Sequence, residues 1–208
     1  QAQAAVSFPP HAVPWLLYLG SLHPWKGVDT LLRAMAHIKT PAELHVVGGN
    51  DKRIAELRHL AQELEVDKHV VFHGPVEPGR RFEYIHQADI CLLPLTDTGL
   101  GGRYTSPLKL FEYMAAGKAI VASNLPSMQQ VLTLEQDALL VPAGEPAAFA
   151  HAIERLLADT DLRRRLGAAA HSKAGDFTWR RRAQSITRFI YNTPPLRHPT
   201  EIMSDEPR

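Results

Sequence analysis

The chain has 208 residues, 45% hydrophobic and 22% charged, which suits one globular domain, or at most two small ones, with a core that needs no disulfide framework. Twenty-three Lys and Arg against 22 Asp and Glu leave a net charge of +1, so no overall charge calls for nucleic acid or an anionic membrane as partner. The single cysteine, Cys91, excludes an internal disulfide, no stretch approaches the ~20 apolar residues of a membrane span, and no signal-peptide pattern is present. Together these features predict a reducing, cytoplasmic setting, and the start at Gln1 suggests a piece of a longer protein.

In chain order, Trp15–Leu19 is an unbroken apolar run ended by Gly20 and reads as a strand. Val28, Leu31, Leu32 and Met35 then recur at i, i+3, i+4 and i+7, one face of a helix. Residues 44–47, ended by Gly48-Gly49, read as the second strand, and Ile54, Leu57, Ala61 and Leu64 mark the next helix. Residues 69–72 form a third strand ended by Gly74, Arg81–Gln87 a short helix and Ile90–Leu93 a fourth strand ended by Pro94. A polar, Gly-rich loop over 96–106 leads into a helix over 108–116, with Gly117 as its C-cap. Residues 119–122 and 138–141 are the fifth and sixth strands. Phe149, Ile153, Leu156 and Leu157 mark a further helix, followed by helices over 161–174 and 179–191.

Strands separated by helices imply right-handed crossovers and a parallel sheet covered on both faces, as the continuous apolar strands require. The expectation is an α/β fold: one Rossmann-like doubly wound parallel sheet with extra C-terminal helices over residues 14–191. Residues 1–13 read as a linker or remnant, and the Pro-rich polar stretch 192–208 as a disordered tail. Ligands of such a sheet bind beyond the carboxyl ends of the strands, so chemistry is sought in the loops that follow them.

The first of these loops, Gly20-Ser21-Leu22-His23-Pro24-Trp25-Lys26-Gly27, is not G-x-G-x-x-G and gives no support to a nicotinamide or flavin site. It does set Lys26 beside a helix N-terminus, where a cation and free N–H groups favour phosphate; a solvated loop lysine is the other reading. The stretch after the fourth strand carries three glycines in four positions, Gly99, Gly101 and Gly102, which let backbone N–H groups approach a ligand. Ser106 can cap the following helix, with Pro107 at its first position. That helix is apolar nearly all round, so Glu112 within it is costly unless it meets strong donors. A hydroxyl pair such as a ribose diol would serve; an i, i+3 pair with Lys109 is the alternative.

Other candidates fall away. Gly117-Lys118-Ala119 lacks Ser or Thr after the lysine and precedes a strand, so it is not a P-loop. Asp159-Thr160-Asp161 resembles a metal-binding D-x-D but lies between two helices, where Thr160 or Asp161 would cap the second. The histidines offer no helical ligand pair, so no metal is expected, and Cys91 lacks any cue for a nucleophile.

Four stretches together resemble the donor-binding half of retaining glycosyltransferases of the GT-B fold, group 1, which includes glycogen synthases and bacterial mannosyltransferases. They are Leu17 to Gly20 with Lys26-Gly27, Val70–Gly74, Ala88 to Pro94, and the long run Ser106-Pro107-Leu108-Lys109-Leu110-Phe111-Glu112-Tyr113-Met114-Ala115-Ala116-Gly117-Lys118-Ala119-Ile120-Val121-Ala122. The resemblance implies a nucleotide diphosphate sugar as donor substrate, no cofactor and no metal, and transfer of a hexose to an acceptor hydroxyl with retention. Lys26 would contact the diphosphate and Glu112 the ribose, and these two are the catalytic candidates. Donor-binding candidates are Gly20, Ser21, Gly74, Pro75, Gly101, Gly102, Arg103, Tyr104, Thr105, Ser106, Lys109 and Glu112, with the backbone after Gly74 meeting the base.

Two positions depart from the family pattern. Ser21 stands where an arginine usually follows the first-strand glycine, and Tyr104 where the first glutamate of the E-x7-E motif falls. Arg103 or Lys109 is expected to supply the missing positive charge. The resemblance also implies an acceptor-binding N-terminal domain absent from this chain, through which peripheral membrane contact could be made, and a terminal helix, with Trp179, reaching back to it. A non-catalytic nucleotide-sugar module, a subunit of a split enzyme, and a GT-B epimerase or phosphorylase are the alternatives.

Overall fold

The computed structural model describes residues 12–98 and 108–192. Expectations for residues 1–11, 99–107 and 193–208 lie outside the described residues, and with them Gly101, Gly102, Arg103, Tyr104, Thr105 and Ser106. The chain divides into two units between Ala174 and Gly175.

In the first unit, six parallel strands, β1 (Trp15–Leu19), β2 (Glu43–Val47), β3 (Val70–Gly74), β4 (Ile90–Leu93), β5 (Ala119–Ser123) and β6 (Leu139–Val141), form one sheet in the order β3-β2-β1-β4-β5-β6. Helices α1 (Val28–Met35), α2 (Asp51–Glu63), α3 (Arg81–Gln87), α4 (Leu108–Ala115), α5 (Pro126–Gln129), α6 (Pro146–Ala158) and α7 (Thr160–Ala174) connect and follow the strands. This is the doubly wound order expected of a Rossmann-like sheet, whose strand order reverses between β1 and β4.

The strands are apolar because both faces are covered. Alternate residues of β1 part between two cores: Leu16 and Tyr18 join α1, α2 and α6, whereas Trp15, Leu17 and Leu19 join α3 and α4. Each fully buried leucine contributes about 1.5–3 kcal/mol relative to exposure. Strand β3 departs furthest from the continuous apolar pattern: it is an edge strand, with Val71 exposed, and begins one residue later than expected because His69 closes a 3-10 turn, Asp67–His69. The i, i+3, i+4 stripes become the buried faces of α1 and α2. Asn50 caps α2, its side chain accepting from Arg53 N at 2.9 Å.

The second unit contains a 3-10 turn, Gly175–Phe177, and α8 (Trp179–Asn192), on which Trp179, Ile186, Phe189, Ile190 and Tyr191 are exposed. Among the described residues no helix is long and apolar enough to cross a membrane.

Candidate functional site

At the switch point the turns come close enough to require glycine. Gly27 has φ +75°, and a Cβ there would lie 1.8 Å from the Pro94 carbonyl oxygen, so the turns after β1 and β4 touch backbone to backbone. Thr96 holds the contact by donating to Trp25 O from its N–H at 3.0 Å and from Oγ1 at 3.2 Å. Gly48 has φ +114°, and a Cβ there would meet Gly20 O at 2.1 Å. Gly20 N donates to Val47 O at 2.9 Å, and Gly48 N to Gly74 O at 2.7 Å. The ends of β1, β2 and β3 are thereby tied into one rim.

Strands β1 and β4 pair only through Leu16↔Ile90 and Leu17↔Cys91. Farther along, the fully buried Tyr113 of α4 fills the gap, and its hydroxyl accepts from Leu19 N at 3.1 Å. Burial drives the Tyr113 pKa well above its ordinary value, so the phenol stays neutral. Divergence of the two strands opens the crevice in which ligands of such sheets bind.

A cavity of about 320 Å³ lies beyond the carboxyl ends of β1, β2 and β3, closed by α3 and by Lys109 of α4, its lining including Gly20, Ser21, Val47, Pro75, Arg81 and Lys109. Behind two of these side chains, the cations, stands Glu112 of α4. Its Oε2 accepts from Lys109 Nζ at 2.9 Å and its Oε1 from Arg81 Nε at 3.1 Å, with the glutamate side chain 18% exposed. The i, i+3 pair with Lys109 therefore forms, and it is only half of the arrangement. The carboxylate is bracketed by two cations from different helices, both at the cavity wall. Two cations thereby compensate a carboxylate set in a mostly apolar helix, and its oxygens can still accept hydrogen bonds from a ligand hydroxyl.

Sequence spacing does not single out Arg81. It lies 31 residues from Glu112, on a helix reached through β3, and no local pattern connects the two. Its one cue is position: it opens the helix that follows the third strand, at the carboxyl edge of the sheet. Its Nη1 also donates to Pro78 O, and its guanidinium lies 4.5 Å from the centre of the Phe82 ring.

Lys26 ends a 3-10 turn, Pro24–Lys26, two residues before α1 begins, as expected. Its Nζ lies 4.0 Å from the centre of the Trp25 ring, and partial burial lowers its pKa. It does not line the 320 Å³ cavity. Gly20, Ser21, Pro75 and Lys109 do line it, and Gly74 accepts from Gly48 at its edge. A second cavity, of about 420 Å³, shares Ser21 and Gly49 and is lined further by His23, Asn50, Lys52 and Arg53. Arg53 is spent on structure there: it donates to Asp29 at 2.6 Å, Glu56 at 2.9 Å and Leu22 O at 3.1 Å.

The D-x-D segment is a cap, but by a different residue than expected: Asp159 Oδ1 accepts from Leu162 N at 2.8 Å. Helix α7 starts at Thr160, which puts the preceding aspartate, not Thr160 or Asp161, at the N-cap. Among the described residues no group of three or more His, Cys, Asp or Glu side chains is placed to hold a metal ion. Cys91 is fully buried in β4, and burial pushes its thiol pKa up, which keeps it unreactive.

The chain matches the profile of the family described as glycosyl transferases group 1 over residues 13–159. It is 31% identical to the D-inositol 3-phosphate glycosyltransferase of Xylanimonas cellulosilytica over 169 residues, covering 80% of this chain and 39% of that protein. To the phosphatidyl-myo-inositol mannosyltransferase of Mycobacterium leprae it is 33% identical over 182 residues, covering 86% of this chain and 46% of that protein. Among solved structures, sucrose-phosphate synthase from Thermosynechococcus elongatus superposes with a TM-score of 0.78 at 29% identity, over 88% of this chain and 46% of that one. Anabaena HepE in complex with UDP gives a TM-score of 0.77 at 20% identity, over 87% and 49%, and shares the fold. The chain spans less than half the length of these relatives. From the matched profile and these identities, the chain belongs to the group 1 glycosyltransferases.

Proposed function

We propose that the chain is the donor-binding half of a hexosyltransferase, and that its crevice takes a nucleotide diphosphate sugar whose hexose passes to an acceptor hydroxyl with retained configuration. The observation that carries this reading is Glu112: a carboxylate held between Arg81 and Lys109 beside a 320 Å³ cavity at the carboxyl ends of the strands. A ribose diol offers the donors that such a carboxylate accepts. The apolar walls, Leu19, Val47, Pro75 and Val76, suit a flat base, with the backbone after Gly74 available to its edge.

The bond to break lies between the sugar's anomeric carbon and the diphosphate. Charge builds on the leaving nucleoside diphosphate, and fixed donors aimed at it lower the barrier. In this reading Lys26, on the turn after β1 and outside the lining of the 320 Å³ cavity, and the first backbone N–H groups of α4 supply them, and no metal or cofactor is called for. The acceptor would be held by an N-terminal domain outside this chain.

Thermal-shift titration of the chain with UDP, GDP, ADP and their sugar conjugates tests the reading. A ligand at a hundredfold above its Kd adds about 2.7 kcal/mol to stability, and at this size that is a rise in Tm of roughly 5–10 °C. Stabilisation by one nucleotide series supports the reading. No shift with any of them at millimolar concentration overturns it.

A further inference from the structure

The loop after β1 contributes to the cavity lining only a neutral polar side chain, Ser21. Two cations line that same cavity among its described residues, Lys109 and Arg81, and both are paired with Glu112. The three side chains carry a combined charge of +1, against a nucleoside diphosphate that brings two or more negative charges. A ribose diol arriving at Glu112 would donate to the same two oxygens that the cations now contact, and so would compete with them for the carboxylate's charge.

The two cations are not equally free to leave. Lys109 sits one turn before Glu112 on α4, so the helix itself keeps their side chains together. Arg81 belongs to α3 and reaches Glu112 through Nε alone, while its Nη1 donates to Pro78 O and its guanidinium rests against the Phe82 ring, both on its own side of the cavity. Arg81 and Ser21 line the same cavity, so the guanidinium can exchange its Glu112 contact for a phosphate bound there without leaving that wall. A guanidinium is also the better group for that task, because its planar fork can take two phosphate oxygens at once.

We propose that Arg81 is a donor-binding residue that changes partner on occupancy: it pairs with Glu112 while the site is empty, and moves to the donor's phosphate when the ribose takes Glu112. It thereby supplies the positive charge that Ser21 does not. The proposal rests on the nucleotide-sugar reading above, and names for it a residue outside the expected set. Arg81 is also a specificity device, since the exchange favours only a ligand that carries both a diol for Glu112 and a phosphate for the guanidinium.

The test is isothermal titration of the full chain and its Arg81→Leu and Arg81→Gln variants. Each is titrated with UDP, GDP and ADP and then with uridine, guanosine and adenosine. For the diphosphate that binds, Arg81→Leu lowers affinity tenfold or more and flattens its salt dependence. The matching nucleoside binds the variant as well as or better than the wild type, because Glu112 has lost a competitor. Arg81→Gln, which keeps a hydrogen-bond donor near Glu112 without the charge, gives the same split and stands in should the leucine variant not fold. Equal loss for diphosphate and nucleoside, or no loss for either, overturns the proposal, since Arg81 then only shapes the pocket or pairs with Glu112. Failure of the wild type to bind any diphosphate overturns the nucleotide-sugar reading itself, a distinct outcome.

Discussion

Removing one oxygen atom, by Tyr113→Phe, isolates the interaction that bridges β1 and α4 at the point where β1 and β4 diverge. The hydroxyl accepts from Leu19 N at 3.1 Å in a fully buried setting. Beyond Leu17↔Cys91 no β4 residue pairs with β1, so β4 has no carbonyl in register to replace the lost acceptor. The aromatic ring stays in place in the variant, and packing against Leu17, Leu110 and Met114 is retained. The expected cost is therefore that of an unsatisfied buried donor, ~1–3 kcal/mol. At about 2 kcal/mol, Tm falls by roughly 4–8 °C for a chain of this length. Urea unfolding should show a lower midpoint with an unchanged slope, because the surface exposed on unfolding is the same. Amide exchange should accelerate at Leu19 ahead of its neighbours in β1. A variant within ~0.3 kcal/mol of the wild type, with Leu19 still protected, would refute the assignment of Tyr113 as the partner of the β1 backbone.

Four further outcomes follow from the geometry. Gly27→Ala places a methyl 1.8 Å from Pro94 O in a left-handed backbone conformation; strain and clash together should cost more than ~2 kcal/mol, read by urea unfolding, and weaken nucleotide binding by parting the two turns. Asp137 is buried, accepts from Thr133 N at 2.8 Å and pairs with Lys173 at 2.6 Å; Asp137→Ala should cost about 2–4 kcal/mol, the loss of a buried hydrogen-bonded charge, by the same assay. Burial lowers the pKa of His73, which bonds the buried His45 at 2.9 Å beside Glu43. The native state then binds fewer protons than the unfolded state below the ordinary value of 6.5, so stability is lost as pH falls from 6.5 through the depressed value; His73→Gln should flatten that slope in chemical unfolding between about pH 7 and pH 5. In a transferase of the proposed kind that joins this chain to an acceptor-binding domain, Lys26→Ala should lower kcat more than it raises KM, since charge grows on the leaving group in the transition state; a change in KM alone would contradict that role.

Much of this architecture is legible in the residues themselves, for reasons that can be named. A strand buried on both faces must be apolar throughout, so Trp15–Leu19 and Ile90–Leu93 stand out with correct ends, and Arg81–Gln87 is bounded by its neighbours. The Val28, Leu31, Leu32 and Met35 stripe is visible because α1 turns it towards the core. Where the pattern fails, a local rule gives way to a tertiary one. The four-residue α5 is too short to show a period, and His69 belongs to a turn and not to β3.

The same division holds at the site. Lys109 and Glu112 lie on one helix, three residues apart, and their pairing follows from helical spacing. Arg81 and Tyr113 act across elements, one on a carboxylate 31 residues away and the other on a backbone N–H 94 residues away. Neither distance leaves a trace in spacing, because the sheet order that brings β1, β3 and α4 together is a property of the whole fold. The cap at the start of α7 shows the opposite case, a local signal read one residue out of place: three polar residues in a row could each cap, and Asp159 does.

The most direct measurement of the central claim, that a nucleotide seats in the crevice against Glu112, is amide NMR of the labelled chain titrated with the nucleotide sugar that stabilises it. The account predicts saturable shifts concentrated at Gly20, Ser21, Val76, Arg81 and Lys109, and their loss in Glu112→Gln at the same ligand concentration. Shifts confined to surfaces away from the ends of β1 and β3, or an undiminished response in Glu112→Gln, would contradict it.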